Sequence, residues 1–347
     1  MYKDTFITLG KIFNAAATDT VFPEYQNEVK HLKDIAENYH NYNGWFSEQF
    51  VKMQLLSLSK MLNEKDLDEF EAQYKVSKLS EKKVKIIAAG NIPLVCFHDI
   101  FCVLFSGKTC VAKFSQKDRL LPFAVMELLK TINPALKDKL IEEKEQRIDF
   151  DGIIATGSNN SSRYFDYYFS KYPHIIRRNR NSVAILTGKE NKTDLEKLGA
   201  DIFAYYGLGC RSISKIFVPQ NYDFQDFFKN IVSFSYVINN PKYADNYDYN
   251  KAVYLMSEAK LLDNNFLLLK EDNNILSSPI GVLFYERYDN LEKLSEKLLS
   301  LSDNIQCVVS NNDIKGLKTE KLGAAQNPSI FDFADGVNTM EFLQSLD

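Results

Sequence analysis

Apolar residues recur at helical spacing through the first quarter of the chain. Phe50, Val51, Leu55, Leu58, Met61 and Leu62 fall on one face of a 3.6-residue repeat, which predicts a helix over 48–62. Residues 1–74 carry few turn signals and read as helical, with a break at 63–66 and a new helix from 67. At Lys83 the pattern changes. A β-rich run at 84–89 ends in Gly90-Asn91-Ile92-Pro93, and an apolar stretch at 94–104 predicts a buried helix closed by Ser106-Gly107. A strand follows at 109–114, then a helix at 119–132 with Pro122 in its first turn, where the missing N–H costs little. Residues 150–156 predict a strand, 161–169 a helix and 182–187 another strand. Strands alternating with helices in this way predict a parallel sheet covered on both faces. That is a doubly wound α/β layout, in which ligands collect at the carboxyl ends of the strands.

The second half repeats the theme with different lengths. It predicts a strand at 215–219, a helix at 223–232, a Tyr-, Asn- and Asp-rich stretch at 233–250 with a turn at Asn239-Asn240-Pro241, and strands at 266–269 and 280–286. A helix at 291–301 and a last strand at 307–309 complete a second α/β domain. The predicted division is 1–204 for the helical region and a dinucleotide-binding domain, 205–324 for a second domain, and 325–347 for a tail that packs back on the body and ends in a short helix.

The 347 residues are 45% hydrophobic and 25% charged, ordinary for a globular chain of about two domains. A net charge of −4 without a long basic run argues against a nucleic-acid partner. No apolar run approaches the roughly 20 residues needed to span a bilayer, and the N-terminus lacks the pattern of a signal peptide. Five scattered cysteines (Cys96, Cys102, Cys110, Cys210 and Cys307) make neither a disulfide framework nor a zinc site. The reading is a cytoplasmic, reduced protein without a metal.

The stretch around Cys210 carries the chemistry. Gly207-Leu208-Gly209-Cys210-Arg211-Ser212 puts one thiol in a glycine-flanked turn before an apolar run, with Arg211 and Lys215 near enough to favour thiolate. Such a cysteine is a candidate nucleophile; the alternative is a buried cysteine at the approach to a strand. The dinucleotide fingerprint Gly-x-Gly-x-x-Gly follows no strand, and Ser212 stands where its third glycine would be. Aromatic residues of the N-terminal region, Phe13, Tyr39, Trp45 and Phe46 among them, suit either a core or an acyl-binding groove.

Four separated segments resemble, in order, the aldehyde dehydrogenase superfamily. Gly90-Asn91-Ile92-Pro93 looks like its Trp-Asn-Phe-Pro turn, and Ser106-Gly107-Lys108-Thr109-Cys110-Val111-Ala112-Lys113 like its Ala-Gly-Asn-x-Val-x-x-Lys strand. Thr156-Gly157-Ser158 looks like its Thr-Gly-Ser turn, and Gly207-Leu208-Gly209-Cys210 like its Gly-Gln-x-Cys segment. Within the superfamily the chain is most similar to the acyl-CoA reductases of the LuxC type, which the segments 177–182 and 325–340 also resemble. The N-terminal helices match only loosely.

The resemblance implies that Cys210 attacks the carbonyl of an acyl-CoA thioester, and that the acyl-enzyme is reduced to a fatty aldehyde. It implies oxyanion donation from the Asn91 side chain together with the Cys210 N–H. Lys113, Ser115 and Gln116 would lie at the cofactor's adenosine ribose, Thr156, Gly157 and Ser158 under its pyrophosphate at a helix start, and Ser278 at its nicotinamide ribose. Gln116 stands where NAD-preferring members carry a glutamate, and with Lys117 and Arg119 beside it points to NADPH, with NADH the alternative. Oxidising members carry a general-base glutamate where this chain has Arg180-Asn181-Ser182-Val183, which disfavours hydrolysis of an acyl-enzyme. Ser278 replaces a second family glutamate. The family also implies self-association or an acyl-transfer partner protein. The rival functions are an aldehyde-oxidising enzyme, a non-catalytic acyl- or cofactor-binding scaffold, and a cysteine hydrolase that pairs Cys210 with a histidine.

Overall fold

The computed structural model describes residues 2–75, 79–144 and 147–347. They form two compact units, one of residues 1–179 with 327–347 and one of residues 180–326.

The first unit opens with four helices, α1 (Lys3–Thr18), α2 (Gln26–Tyr42), α3 (Glu48–Met61) and α4 (Glu64–Tyr74). Phe6, Leu9, Ile12, Phe13 and Ala16 form the buried stripe of α1, and Phe50, Val51, Leu55, Leu58 and Met61 that of α3. At Gly10 a Cβ would stand 3.0 Å from the Leu62 Cβ, so the small residue lets α1 close on the end of α3. Phe13, Tyr39 and Phe46 are fully buried here, and Trp45 is half-buried against the same core.

Next come β1 (Lys83–Ile87), α5 (Phe97–Phe105), β2 (Thr109–Lys113), α6 (Leu120–Ile132), β3 (Leu140–Glu142), β4 (Gly152–Thr156), α7 (Asn159–Phe169) and β5 (His174–Arg177). The five strands pair in the order β3-β2-β1-β4-β5, all parallel. From β1 the chain steps outward through β2 to β3, then returns to the other side of β1 for β4 and β5. The switch point therefore lies between β1 and β4. His174, which sequence alone suggests is a turn residue, begins the edge strand β5.

Residues 327–347 belong to this unit and end in a short helix (Thr339–Gln344). Ile330, Met340 and Leu343 enter its core. Phe70 of α4 sits at the centre of an aromatic cluster, its ring 4.6–5.5 Å from those of Tyr74, Phe101, Phe105 and Phe331. Beside it Arg177 pairs with Asp99 and donates to Thr339 Oγ1 at 3.0 Å, joining β5, α5 and the tail in one buried contact.

The second unit holds β6 (Asn181–Ile185), α8 (Lys192–Phe203), β7 (Ile213–Pro219), α9 (Gln225–Asn230), α10 (Pro241–Met256), β8 (Leu261–Asp263), β9 (Leu268–Glu271), β10 (Val282–Tyr288), α11 (Leu291–Ser300), β11 (Ile305–Val309) and β12 (Thr319–Glu320). Its sheet runs β12-β11-β6-β7-β10-β9-β8, parallel except where β8 meets β9. Strand β6, expected to extend the first sheet, pairs instead with β7 and β11. The division thus falls at 179/180 rather than 204/205, and α8 goes with the second unit. The Tyr- and Asn-rich stretch is mostly the helix α10, capped by Asn240 with Pro241 at its first position.

Phe70→Ala removes the ring that α4, α5 and the tail share. The expected loss is about 3–5 kcal/mol, read as faster hydrogen exchange in both α5 and residues 327–347. Faster exchange in α4 alone would contradict a shared cluster.

Candidate active site

In the first unit the implicated residues gather at the carboxyl ends of three adjacent strands. Gly90 and Asn91 follow β1, Lys113 ends β2 with Ser115 and Gln116 beyond it, and Thr156, Gly157 and Ser158 end β4. Asn91, Lys113, Gln116 and Ser158 are exposed, while Ser115, Thr156 and Gly157 are half-buried. Ser158 is the N-cap of α7, its Oγ accepting from Ser161 N–H at 3.2 Å. At Gly157 a Cβ would stand 2.8 Å from Ser161 Cβ and 2.9 Å from the Phe165 ring, so the turn lies directly on the first turn of the helix. A helix start of eleven residues, with its cap satisfied, offers its first N–H groups to an anion.

The turn after β2 is fastened by α2. Tyr42 donates its hydroxyl to the Gln116 carbonyl at 2.7 Å, and Asn43 donates its amide to the Lys117 carbonyl at 3.0 Å. Arg119, expected as a cation beside Gln116, is instead held by Glu142 through a two-pronged pair of 2.6 and 3.2 Å. Lys113 and Lys117 are also exposed at this edge.

In the second unit the implicated residues lie at the other ends of the strands. Cys210 precedes β7, Ser278 precedes β10, and Ser182 begins β6. Tyr205, Tyr206 and Gly207 all have positive φ (52°, 57° and 81°), a left-handed run that side chains with a Cβ rarely adopt. It is held from within. Both tyrosines are buried, Ser212 donates its hydroxyl to the Ala204 carbonyl at 3.0 Å, and Ser212 N–H closes the turn onto Gly209 O at 3.0 Å. Cys210 emerges at the crest, exposed.

Ser182 is the anchor that sequence reasoning missed. Its hydroxyl donates to the Cys210 carbonyl at 2.8 Å, and its oxygen accepts the Cys307 N–H at 3.2 Å and the Cys307 thiol at 3.1 Å. Burial pushes the Cys307 thiol up to about 11. Asp201 of α8 was likewise unforeseen; it accepts from Gly323 and Ala325 N–H, while Arg211 donates to the Ala325 carbonyl at 3.2 Å. One-dimensional pattern carries no signal for either, because their partners lie far along the chain, 28 and 125 residues from Ser182 and 122 and 124 from Asp201.

Two expectations change. Lys215 is 1% exposed and pairs with Glu286 at 2.7 Å, so its charge is spent in the core of the sheet. Ser278 donates its hydroxyl to the Val282 carbonyl at 2.7 Å, which leaves it able only to accept from a sugar. Where the family's base would stand, Arg180 donates to the carbonyls of Ser302 and Ile305, and no carboxylate occupies 180–183. All four histidines belong to the first unit, so the thiol has no imidazole from its own unit. Among the described residues no cluster of three or more His, Cys, Asp or Glu is arranged to hold a metal, and no helix is long and apolar enough to cross a membrane.

No family model matches the chain, and no curated protein matches it. Solved structures do. Aldehyde dehydrogenase 21 from Physcomitrella patens, solved with its reaction product succinate, matches with a TM-score of 0.70 over 100% of this chain and 84% of its own, at 12% identity. An oxidoreductase from Marinobacter aquaeolei matches with 0.63 over 94% and 79%, at 11% identity. An NAD-dependent benzaldehyde dehydrogenase from Corynebacterium glutamicum matches with 0.61 over 95% and 84%, at 12% identity. The fold is the two-domain α/β fold of the aldehyde dehydrogenases.

The burial pattern predicts the thiol chemistry. At pH 8 one thiol should react with Ellman's reagent in a fast phase that Cys210→Ser abolishes. Cys96, Cys102 and Cys110, buried and pushed upward by desolvation, should wait for unfolding. A fast phase that survives the substitution would contradict the placement of Cys210.

Proposed function

We propose that this chain belongs to the aldehyde dehydrogenase superfamily and reduces an acyl-CoA thioester to a fatty aldehyde with NADPH, through an acyl group carried on Cys210. The observation that carries the reading is an exposed thiol on a hydrogen-bonded crest, with no carboxylate at 180–183. A thiolate exchanges acyl groups with a thioester without activated water. An acyl-enzyme shielded from hydrolysis lasts long enough to be reduced.

The residues of the first unit fit a nicotinamide dinucleotide. Gly157 brings the turn backbone against the start of α7, where the N–H groups and the helix dipole suit a pyrophosphate. Lys113, Ser115 and Gln116 would take the adenosine ribose; Gln116 carries no charge to repel a 2′-phosphate, and Lys113 and Lys117 favour one. Ser278 would accept from the second ribose. When bound, the cofactor supplies the hydride that converts the acyl thioester to the aldehyde.

Cys210 Sγ attacks the thioester carbonyl, its bond to carbon forming as the bond to the coenzyme sulfur breaks and the coenzyme thiol leaves. As the resemblance implies, the Asn91 amide and the Cys210 N–H would receive the developing oxyanion. The same donors serve again when the reduced adduct collapses, returning the thiolate and releasing aldehyde. The Ser182 bond to the Cys210 carbonyl holds the backbone of that donor still.

The test is NADPH consumption over a panel of acyl-CoA chain lengths. Cys210→Ala is expected to abolish turnover, and Asn91→Ala to lower kcat by about 10²–10³-fold, as for loss of one oxyanion donor. Turnover of aldehyde and oxidised cofactor to acid, without acyl-CoA reduction, would overturn the reading. So would a Cys210→Ala protein that still reduces acyl-CoA.

A further inference from the structure

We propose that Asp118 is a positioning residue that staples the Asn91 turn to the turn carrying Ser115 and Gln116, so that the N-terminal helices hold the oxyanion donor in place. The proposal rests on the reading of Asn91 and the cofactor turn given above, and extends it to residues outside the family motifs.

Asp118 is 1% exposed. One carboxylate oxygen accepts the Leu94 N–H at 2.8 Å and the other accepts the Tyr39 hydroxyl at 2.8 Å. Leu94 ends the Gly90-Asn91-Ile92-Pro93 turn with φ of +53°, a conformation that needs an outside contact to hold it. The Asp118 bond to its N–H is that contact. On its other side Asp118 N–H donates to Ser115 O at 3.1 Å, and Ser115 Oγ accepts the Lys117 N–H at 3.2 Å, so residues 115–118 form a closed turn.

The two turns touch. A Cβ at Gly90 would fall 2.6 Å from Ser115 Oγ and 3.2 Å from Asp118 N, so the residue before Asn91 is a glycine because the Ser115 turn occupies the space. Tyr39 completes the brace, since its oxygen also accepts the Leu121 N–H at 3.3 Å at the start of α6. A single buried carboxylate therefore joins the end of the β1 turn, the start of α6 and helix α2. Burial pushes that carboxyl up to about 7, while the two donors favour its charged form.

Asp118→Ala leaves two buried donors without an acceptor. At saturating cofactor it is expected to lower kcat for acyl-CoA reduction at least tenfold and to change the acyl-CoA KM less than twofold. The double variant Asp118→Ala/Asn91→Ala should be no slower than Asn91→Ala alone, because Asp118 acts through Asn91. Asp118→Asn keeps an acceptor for Leu94 and should recover most of the rate. Tyr39→Phe removes one donor and should lower kcat severalfold, which serves if the alanine variant does not fold. Hydrogen exchange in peptides spanning 88–97 should quicken at least tenfold in Asp118→Ala, while α3 and α4 are unchanged. Independent, multiplying losses in the double variant, or unchanged exchange at 88–97, would overturn the proposal. The exchange arm needs no turnover. A wild-type protein inactive on every acyl-CoA would sink the reading of the site, and exchange would still decide the staple.

Discussion

Parallel pairing is the constraint from which the rest of this molecule follows. A parallel strand cannot be reached by a tight turn, so each step across the sheet needs a crossover that returns the chain to the same edge. In the first unit that rule delivers the loops after β1, β2 and β4 to one edge, side by side, at the point where the strand order reverses. In the second unit the same rule collects the amino ends of β6, β7, β10 and β11, and there Ser182, Cys210, Ser278 and Cys307 are found. The two sheets thus present opposite ends to their implicated residues.

What holds those loops is a small set of buried polar groups. Ser182 serves one carbonyl, one N–H and one thiol; Asp201 serves two N–H groups; Asp118 serves an N–H and a phenol. Each sits where regular pairing has stopped and backbone groups would otherwise lack partners. The left-handed residue Leu94 is held by Asp118, and the run at 205–207 by burial of both tyrosines and the Ser212 bond to Ala204. The backbone at Cys210 is therefore tied through Ser182 to β6 and β11.

Much of the fold was legible in the sequence, for a physical reason. Buried parallel strands are apolar on both faces, so β1, β2, β4 and β10 stand out as short runs rich in β-branched, aliphatic or aromatic residues, and the buried helix α5 as a largely apolar stretch. Three-residue β3 lacks the length to make a pattern, and β5 hides behind the polar His174 at an edge. Strand β6 looked like a continuation because which sheet it joins depends on β7 and β11, which come later in the chain. The candidate site was legible only where one residue type stands in a turn of unusual composition, as at Cys210 and Asn91. Lys215 and Arg119 misled because an acidic partner far off in sequence, Glu286 or Glu142, had already taken the charge.

The central claim is that Cys210 carries an acyl group, and it is tested most directly by trapping that group. The chain is mixed with a long-chain acyl-CoA in the absence of NADPH, quenched in acid and digested, and the peptide containing Cys210 is weighed. The account predicts one acyl mass on that peptide, lost on treatment with hydroxylamine, with one equivalent of coenzyme thiol released. An unmodified Cys210 peptide after prolonged exposure, or an acyl group on another cysteine, would contradict it.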